Sequence, residues 1–199
     1  AKRDSGPVGD GRILPAEMAA IQEISRIVTS TLDIEQVYEK FAAEVKKLVD
    51  FDRVGISVID FDADTFTPTY LSGVHWIGRA VGTIVPMAGT AIEQVKRTGL
   101  SIRREDIRTG ECFSGDSGRL QAGLLSSLMV PLLSKGQPTG ALHVNSRRAG
   151  AFGPREQAIL ERLADQIAPA VENARLYQEL QASTEEKAVV DEVARIVTS

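Results

Sequence analysis

The sequence predicts an α+β fold, an antiparallel sheet with a long helix laid across it. Three observations carry this. Residues 128–133 and 141–144 are short apolar runs separated by Ser134-Lys135-Gly136-Gln137-Pro138-Thr139-Gly140, the punctuation of a hairpin. Apolar residues then recur at Ile159, Leu160, Leu163, Ala164, Ile167, Val171 and Ala174, the spacing of one helix face. Pro154 suits the first turn of that helix, where its missing N–H costs nothing. Upstream, residues 53–60 alternate small or polar with β-branched side chains, as a strand with one face on a core does.

Taken in order, residues 1–12 are polar and rich in Gly and Pro, and read as a disordered linker or appended remnant. Residues 13–49 are helical in pattern. Met18, Ile21, Ile24, Ile27 and Val28 form one stripe, and Ile34, Val37, Phe41, Val45 and Leu48 form another. Asp33 followed by Gln36 marks the N-cap of the second helix. After the strand at 53–60 come a turn at 60–64 and a Thr- and aromatic-rich strand at 65–71. Residues 74–81 are ambiguous, and 83–86 read as a brief edge strand. Gly89-Thr90 opens a short helix that Thr98-Gly99 stops. Residues 101–107, with alternating Arg and Glu, suit a blunted edge. Residues 109–123 hold four glycines and no sustained period, which predicts a mobile loop with one helical turn.

Composition narrows the function classes. The chain has 199 residues, 43% hydrophobic and 25% charged, with a formal net charge of −4. That balance argues against a nucleic-acid or anionic-membrane surface. No apolar run approaches a membrane span, and no signal-peptide core is present. A single cysteine, Cys112, cannot form an internal disulfide, so a cytoplasmic location is expected. No Ser/His/Asp arrangement, CxxC pair or phosphate-binding Gly loop is found, and no metal or catalytic constellation is expected.

The two ends repeat one another. IQEISRIVTS at residues 21–30 returns as VDEVARIVTS at 190–199, with six of ten positions identical. A second copy of the domain is expected to begin there, with residues 181–199 a linker helix leading into it.

The chain resembles the GAF domain family over roughly residues 18–180, within a domain placed at 13–180. The resemblance rests on an ordered series: TSTLDIEQVYEKFAAEV, DRVGISVID, IVPMAGTAIEQVKRTGLSIRREDI, SSLMVPLLSKGQPTGALHVNS and FGPREQAILERLADQIAPAVENARLY. It implies a central antiparallel sheet of five to six strands, with N- and C-terminal helices on one face and a loop-covered pocket on the other. It also implies a small-molecule sensor that pairs as a parallel homodimer and relays signal to an output domain in the same polypeptide, such as a histidine kinase of a two-component system.

Period 2 places Leu142 and Val144 on one strand face and Ala141, His143 and Asn145 on the other. If the helices cover the Leu/Val face, His143 and Asn145 point towards the pocket. The alternative is a satisfied, half-buried histidine. Candidate pocket residues are Tyr70, His75, Trp76, Cys112, Phe113, Leu125, Met129, His143 and Asn145. Candidate helix and dimer contacts are Ile21, Ile24, Val28, Leu163, Ile167, Val171, Ala174 and Leu180.

Cys112 lies where bilin-binding members of the family attach their chromophore, but Phe113 replaces the histidine that usually follows. Glu111 and Asp116 also oppose a reactive thiolate. Haem through His75 or His143 rests on one histidine alone. The Asn-Lys-Phe-Asp-Glu signature of the cyclic-nucleotide branch is absent. The free methionine sulfoxide reductase branch needs several cysteines. The expectation is therefore a non-enzymatic sensory module of unknown ligand, with a tetrapyrrole photoreceptor or redox sensor and a ligand-free dimerisation spacer as alternatives.

Overall fold

The computed structural model describes residues 18–19, 22–24, 26, 33–76 and 78–197. Ile21 and Val28, and most of the N-terminal half of the end repeat, lie outside the described residues.

Asp33 opens helix α1 (Ile34–Leu48) by accepting from the backbone N–H groups of Glu35 and Gln36 at 3.1 and 3.3 Å. The Gln36 amide donates to the Asp33 carboxylate at 2.8 Å instead of returning to the cap backbone. Val37, Phe41 and Val45, one helical stripe, are buried. The chain then enters β1 (Arg53–Asp60) and β2 (Thr65–Gly73), followed by the two-residue β3 (Val85–Pro86). Helix α2 (Ala91–Thr98) is capped by Thr90, and its end turns through Gly99 at φ 65°. Edge strand β4 (Ile102–Arg104) leads through a loop to the short helix α3 (Asp116–Gln121). The hairpin β5 (Ser126–Ser134) and β6 (Gln137–Ser146) precedes α4 (Pro154–Val197), which spans 44 residues.

These strands form one antiparallel sheet in the order β3-β2-β1-β6-β5-β4. The hairpin strand β6 is central, paired with β1 on one side and β5 on the other. Helices α1 and α4 pack against each other on one face. Beneath them lie Val54 and Ile56 of β1, Leu128, Val130 and Leu132 of β5, and Leu142 and Val144 of β6. The other face carries a smaller cluster, in which Ile59, Phe66, Met129 and Ala141 meet Ile92 and Val95 of α2. The predicted fold class is thus the observed one.

Two bulges modify the period-2 pattern. Between β1 and β2, Ile56 pairs with Tyr70 and Ser57 with Pro68, which leaves Thr69 as the extra residue. Between β5 and β6, Leu132 pairs with Gly140 and Leu133 with Pro138, which leaves Thr139 over. Both follow a proline, which has no N–H to donate to the ladder. In both, the threonine hydroxyl instead reaches the opposing strand, Thr69 to the Ile56 carbonyl at 3.4 Å and Thr139 to the Leu132 carbonyl at 3.3 Å.

The first bulge overturns one expectation. Unbroken alternation would put Tyr70 with Phe66 and Pro68 on the pocket face. Thr69 shifts the phase, so Tyr70 joins the core under the helices, its ring 5.4 Å from that of Tyr38. Leu71 takes the pocket face in its place.

The helix residues expected at a dimer interface divide in two. Ile24, Leu163, Ile167 and Val171 are buried in the core of this single chain. Ala174 is half-buried, whereas Leu176, Tyr177 and Leu180 are exposed.

Leu160 is completely buried between helix and sheet. Leu160→Ala is expected to destabilise the domain by about 2–5 kcal/mol in urea unfolding, against about 1 kcal/mol for removing the cap with Asp33→Ala.

Candidate functional site

Strand alternation sends Arg53, Gly55 and Ser57 of β1 to the face opposite the helices, beside Met129 of β5 and His143 of β6. The segment after β2 folds back over this face with Trp76 and Arg79, and α3 closes the side with Gly115 and Arg119. They enclose a cavity of about 30 Å³, room for two or three water-sized groups at roughly 10–15 Å³ each.

Glycine makes two of these contacts feasible. A Cβ at Gly55 would stand 2.7 Å from His143 Nε2 and 2.8 Å from Leu71 Cδ2, so any side chain here would displace the imidazole and Leu71 from β1. A Cβ at Gly118 would intrude on the Trp76 indole, 2.8 Å from its Cδ1. Trp76 is thereby seated on α3.

Three guanidinium groups surround that indole. Arg119 Cζ lies 4.8 Å from the ring centroid, Arg79 5.4 Å and Arg53 5.7 Å. Asp116 is the carboxylate among them. It accepts from Arg104 Nη1 at 2.7 Å on both oxygens, from Arg119 Nη1 at 3.0 Å and from the Phe113 N–H at 2.9 Å. Two of the four arginines here, Arg104 and Arg119, thus share one buried carboxylate.

Arg53, only 2% exposed, donates through Nη1 to the Val74 carbonyl and leaves Nε and Nη2 without partners. Arg119 Nε, Ser57 Oγ and His143 Nδ1 are buried and unpartnered as well. A buried polar group left this way costs about 1–3 kcal/mol, more if it is charged.

The electrostatics follow from the same geometry. Burial lowers the Arg119 pKa to about 10, with Arg104 and Arg79 adding repulsion against the pull of Asp116. Burial also lowers Arg53 and Arg79. His143 falls to about 3, through burial first and then repulsion by Arg119, Arg53 and Arg79. The imidazole is therefore neutral at physiological pH.

Of the sequence-predicted pocket residues, Trp76, Met129 and His143 line the cavity together. Asn145 stands on the same face, paired across the ladder with Arg53, its amide O and N both buried and unpartnered. It lies outside the cavity itself. Phe113 is buried in the smaller cluster under Arg104. Leu125 is half-buried and does not line the cavity. His75 is exposed, pointing away where its neighbour Trp76 turns in. Cys112 is exposed, its thiol 3.9 Å from the Phe113 carbonyl.

Sequence reasoning missed Arg53, Arg79 and Arg119. Arg53 shares the small-or-polar phase of β1 with Gly55 and Ser57, a signal that was there to be read. Arg79 and Arg119 come from segments with no period.

A tetrapyrrole does not fit this arrangement. The cavity holds about 30 Å³, whereas ligand pockets of drug-sized molecules run to roughly 300–1,000 Å³. The exposed Cys112 and His75 do not line the cavity, and His143, which does, is buried. A second, open cleft of about 310 Å³ lies beside β4. Two of its charged residues are paired, Arg104 to Asp116 and Asp106 to Arg108.

The His143 pKa has a consequence for stability. The folded value of about 3 lies below the ordinary 6.5, so between them the unfolded chain binds a proton that the folded chain refuses. The contribution of neutral His143 is complete above about pH 6.5 and falls by up to about 1.4 kcal/mol per pH unit between there and about pH 3. Urea midpoints at pH 7.5 and 5.5 should show this loss, and His143→Gln should remove it.

Comparison with known proteins places this geometry. The GAF domain family model matches residues 33–171. No curated protein matches the chain in sequence. The fold is similar to that of a GAF domain from a phosphoenolpyruvate-protein phosphotransferase of Coxiella burnetii, with TM-score 0.69, 16% identity, and coverage of 82% of this chain and 96% of that one. It is also similar to a free methionine-R-sulfoxide reductase from Neisseria meningitidis solved with its substrate, at TM-score 0.66, 20% identity and coverage of 81% and 91%. A GAF domain of a two-component sensor histidine kinase from Bacillus halodurans gives TM-score 0.65, 21% identity and coverage of 74% and 99%. At these identities the structural likeness speaks for the fold. The family match covers well over half of the sequence, from the Asp33 cap to Val171 in the closing helix, and the chain therefore belongs to the GAF domain family.

Proposed function

We propose that this domain is a non-enzymatic sensory module that binds a small molecule in the cavity beneath Trp76 and relays its presence through α4. The observation that carries this is the group of buried, unpartnered side chains at the cavity, Arg53, Ser57, Arg119 and His143, which a ligand would satisfy. The relay needs no separate pathway. Met129 and His143 line the cavity from β5 and β6, while Leu128, Val130, Leu142 and Val144 of the same strands carry the core shared with α4. A ligand that favours one placement of Trp76 and α3 would bias those strands and the helix they support.

A reductase reading, prompted by the Neisseria enzyme, is disfavoured by this chain's own chemistry. Cys112 is the one cysteine in the sequence, so no intramolecular disulfide can be formed and resolved. Turnover of free methionine sulfoxide with an added dithiol reductant would overturn the non-enzymatic assignment.

The relay is proposed to act in a parallel homodimer, with a downstream output domain in the same polypeptide, such as a histidine kinase. Leu176 and Leu180 are one turn apart, with Tyr177 beside them, and all three are exposed on the stretch of α4 that outruns the sheet. With the end repeat, this favours a helix that continues into a second, similar domain. No helix among the described residues is long and apolar enough to cross a membrane.

Light scattering at rising concentration is expected to report a dimer, and Tyr177→Asp with Leu180→Asp to shift it to monomer by at least tenfold in Kd. A wild-type chain that stays monomeric would remove the dimer from the mechanism. For the sensor, Trp76 is the chain's one tryptophan, so its fluorescence reports the cavity directly. Saturable quenching or a blue shift by at least one compound of a metabolite library is expected. Silence across the library would favour a ligand-free spacer instead.

A further inference from the structure

We propose that the ligand of this cavity is a small organic carboxylate. The inference rests on reading the cavity as the sensory site and adds the chemical class that fills it. Arg53 has its Nε and Nη2 unpartnered while Nη1 is held by the Val74 carbonyl. Nε and Nη2 form one edge of the guanidinium, the paired-donor edge that matches the two oxygens of a carboxylate. Arg119 Nε and Ser57 Oγ, also buried and unpartnered, belong to residues that line the same cavity.

Charge points the same way. Arg53, Arg79, Arg104 and Arg119 are opposed by Asp116, which already serves Arg104 and Arg119. No carboxylate is paired with Arg53 or Arg79 among the described residues, and His143 is neutral. An anion is what the site lacks.

Size and lining separate the kinds of anion. About 30 Å³ suits a carboxylate with one or two further carbons. Leu71, Phe66 and Met129 add apolar surface to the lining, the Phe66 ring lying under Arg79 at 5.4 Å. An inorganic oxyanion such as phosphate would press its remaining oxygens against that surface without hydrogen bonds. The apolar end of an organic acid would rest there without loss.

Trp76 fluorescence and melting temperature, followed at constant ionic strength, test the proposal with acetate, pyruvate, phosphate and the neutral acetamide. Acetate or pyruvate is expected to change both readouts saturably and acetamide neither. Arg53→Gln should weaken the carboxylate response about ten- to hundredfold. It should leave the far-ultraviolet circular dichroism unchanged and raise the melting temperature of the ligand-free protein, because it removes an unpaired buried charge. If that variant does not fold, Arg79→Gln, at a half-buried position, is expected to weaken the response at least threefold. A full acetate response in either folded variant overturns the proposal. So does phosphate acting at lower concentration than both carboxylates. A response to neutral metabolites with none to carboxylates overturns the carboxylate while leaving the sensory site standing, and no response to any compound overturns both.

Discussion

Strand β6 is the element on which the rest of this domain depends. It is hydrogen-bonded on both sides, to β1 and β5, and its side chains alternate between two interiors. Leu142 and Val144 are fully buried under the helices, while Ala141 and His143 face the opposite side. A one-residue slip would put His143 into the apolar core and Leu142 into the cavity. The pairings on both sides prevent that slip. The register of one strand therefore sets the helix-packing face and the ligand face together, which is why a change on one can be felt on the other.

The ligand face is built against the usual preferences of a protein interior. Four guanidinium groups gather near one buried carboxylate, and several of their donors have no acceptor. The cost is tolerated because Trp76 lies among three of them and its π-face is attractive to cations. Asp116 holds α3 to β4 through Arg104, so the short helix that seats Trp76 is tied to the sheet edge by a buried ion pair. Sacrificing local stability at a site that must recognise something is a familiar pattern in folded proteins. Here the shortfall has a definite sign, too many positive charges and too few acceptors.

Much of the fold was legible. The hairpin, the helix from Pro154, the Asp33 cap and the stop at Gly99 all follow from local chemistry, and each is found where its residues placed it. His143 and Met129 followed from alternation once the helices were assigned to one face. Tyr70 did not, because Pro68 cannot donate to the ladder and the bulge at Thr69 reverses the phase of everything after it. His75 and Trp76 were equal candidates in the sequence. The chain can turn only one of two neighbours inward, and the flat glycine surface of α3 receives the indole.

The amino-acid sequence by itself determined the α+β architecture, the two faces of the central strands and the absence of a cysteine pair. Those properties are set by residues near one another in the chain, through periodicity, capping and turn chemistry. The arginine cluster was decided by tertiary structure alone. Arg53, Arg79 and Arg119 are far apart in sequence and come from a strand, a loop and a six-residue helix. Long-range pairing brings Arg53 and Arg119 onto the indole that Arg79 reaches from three residues along the same loop, and no local pattern encodes the whole cluster.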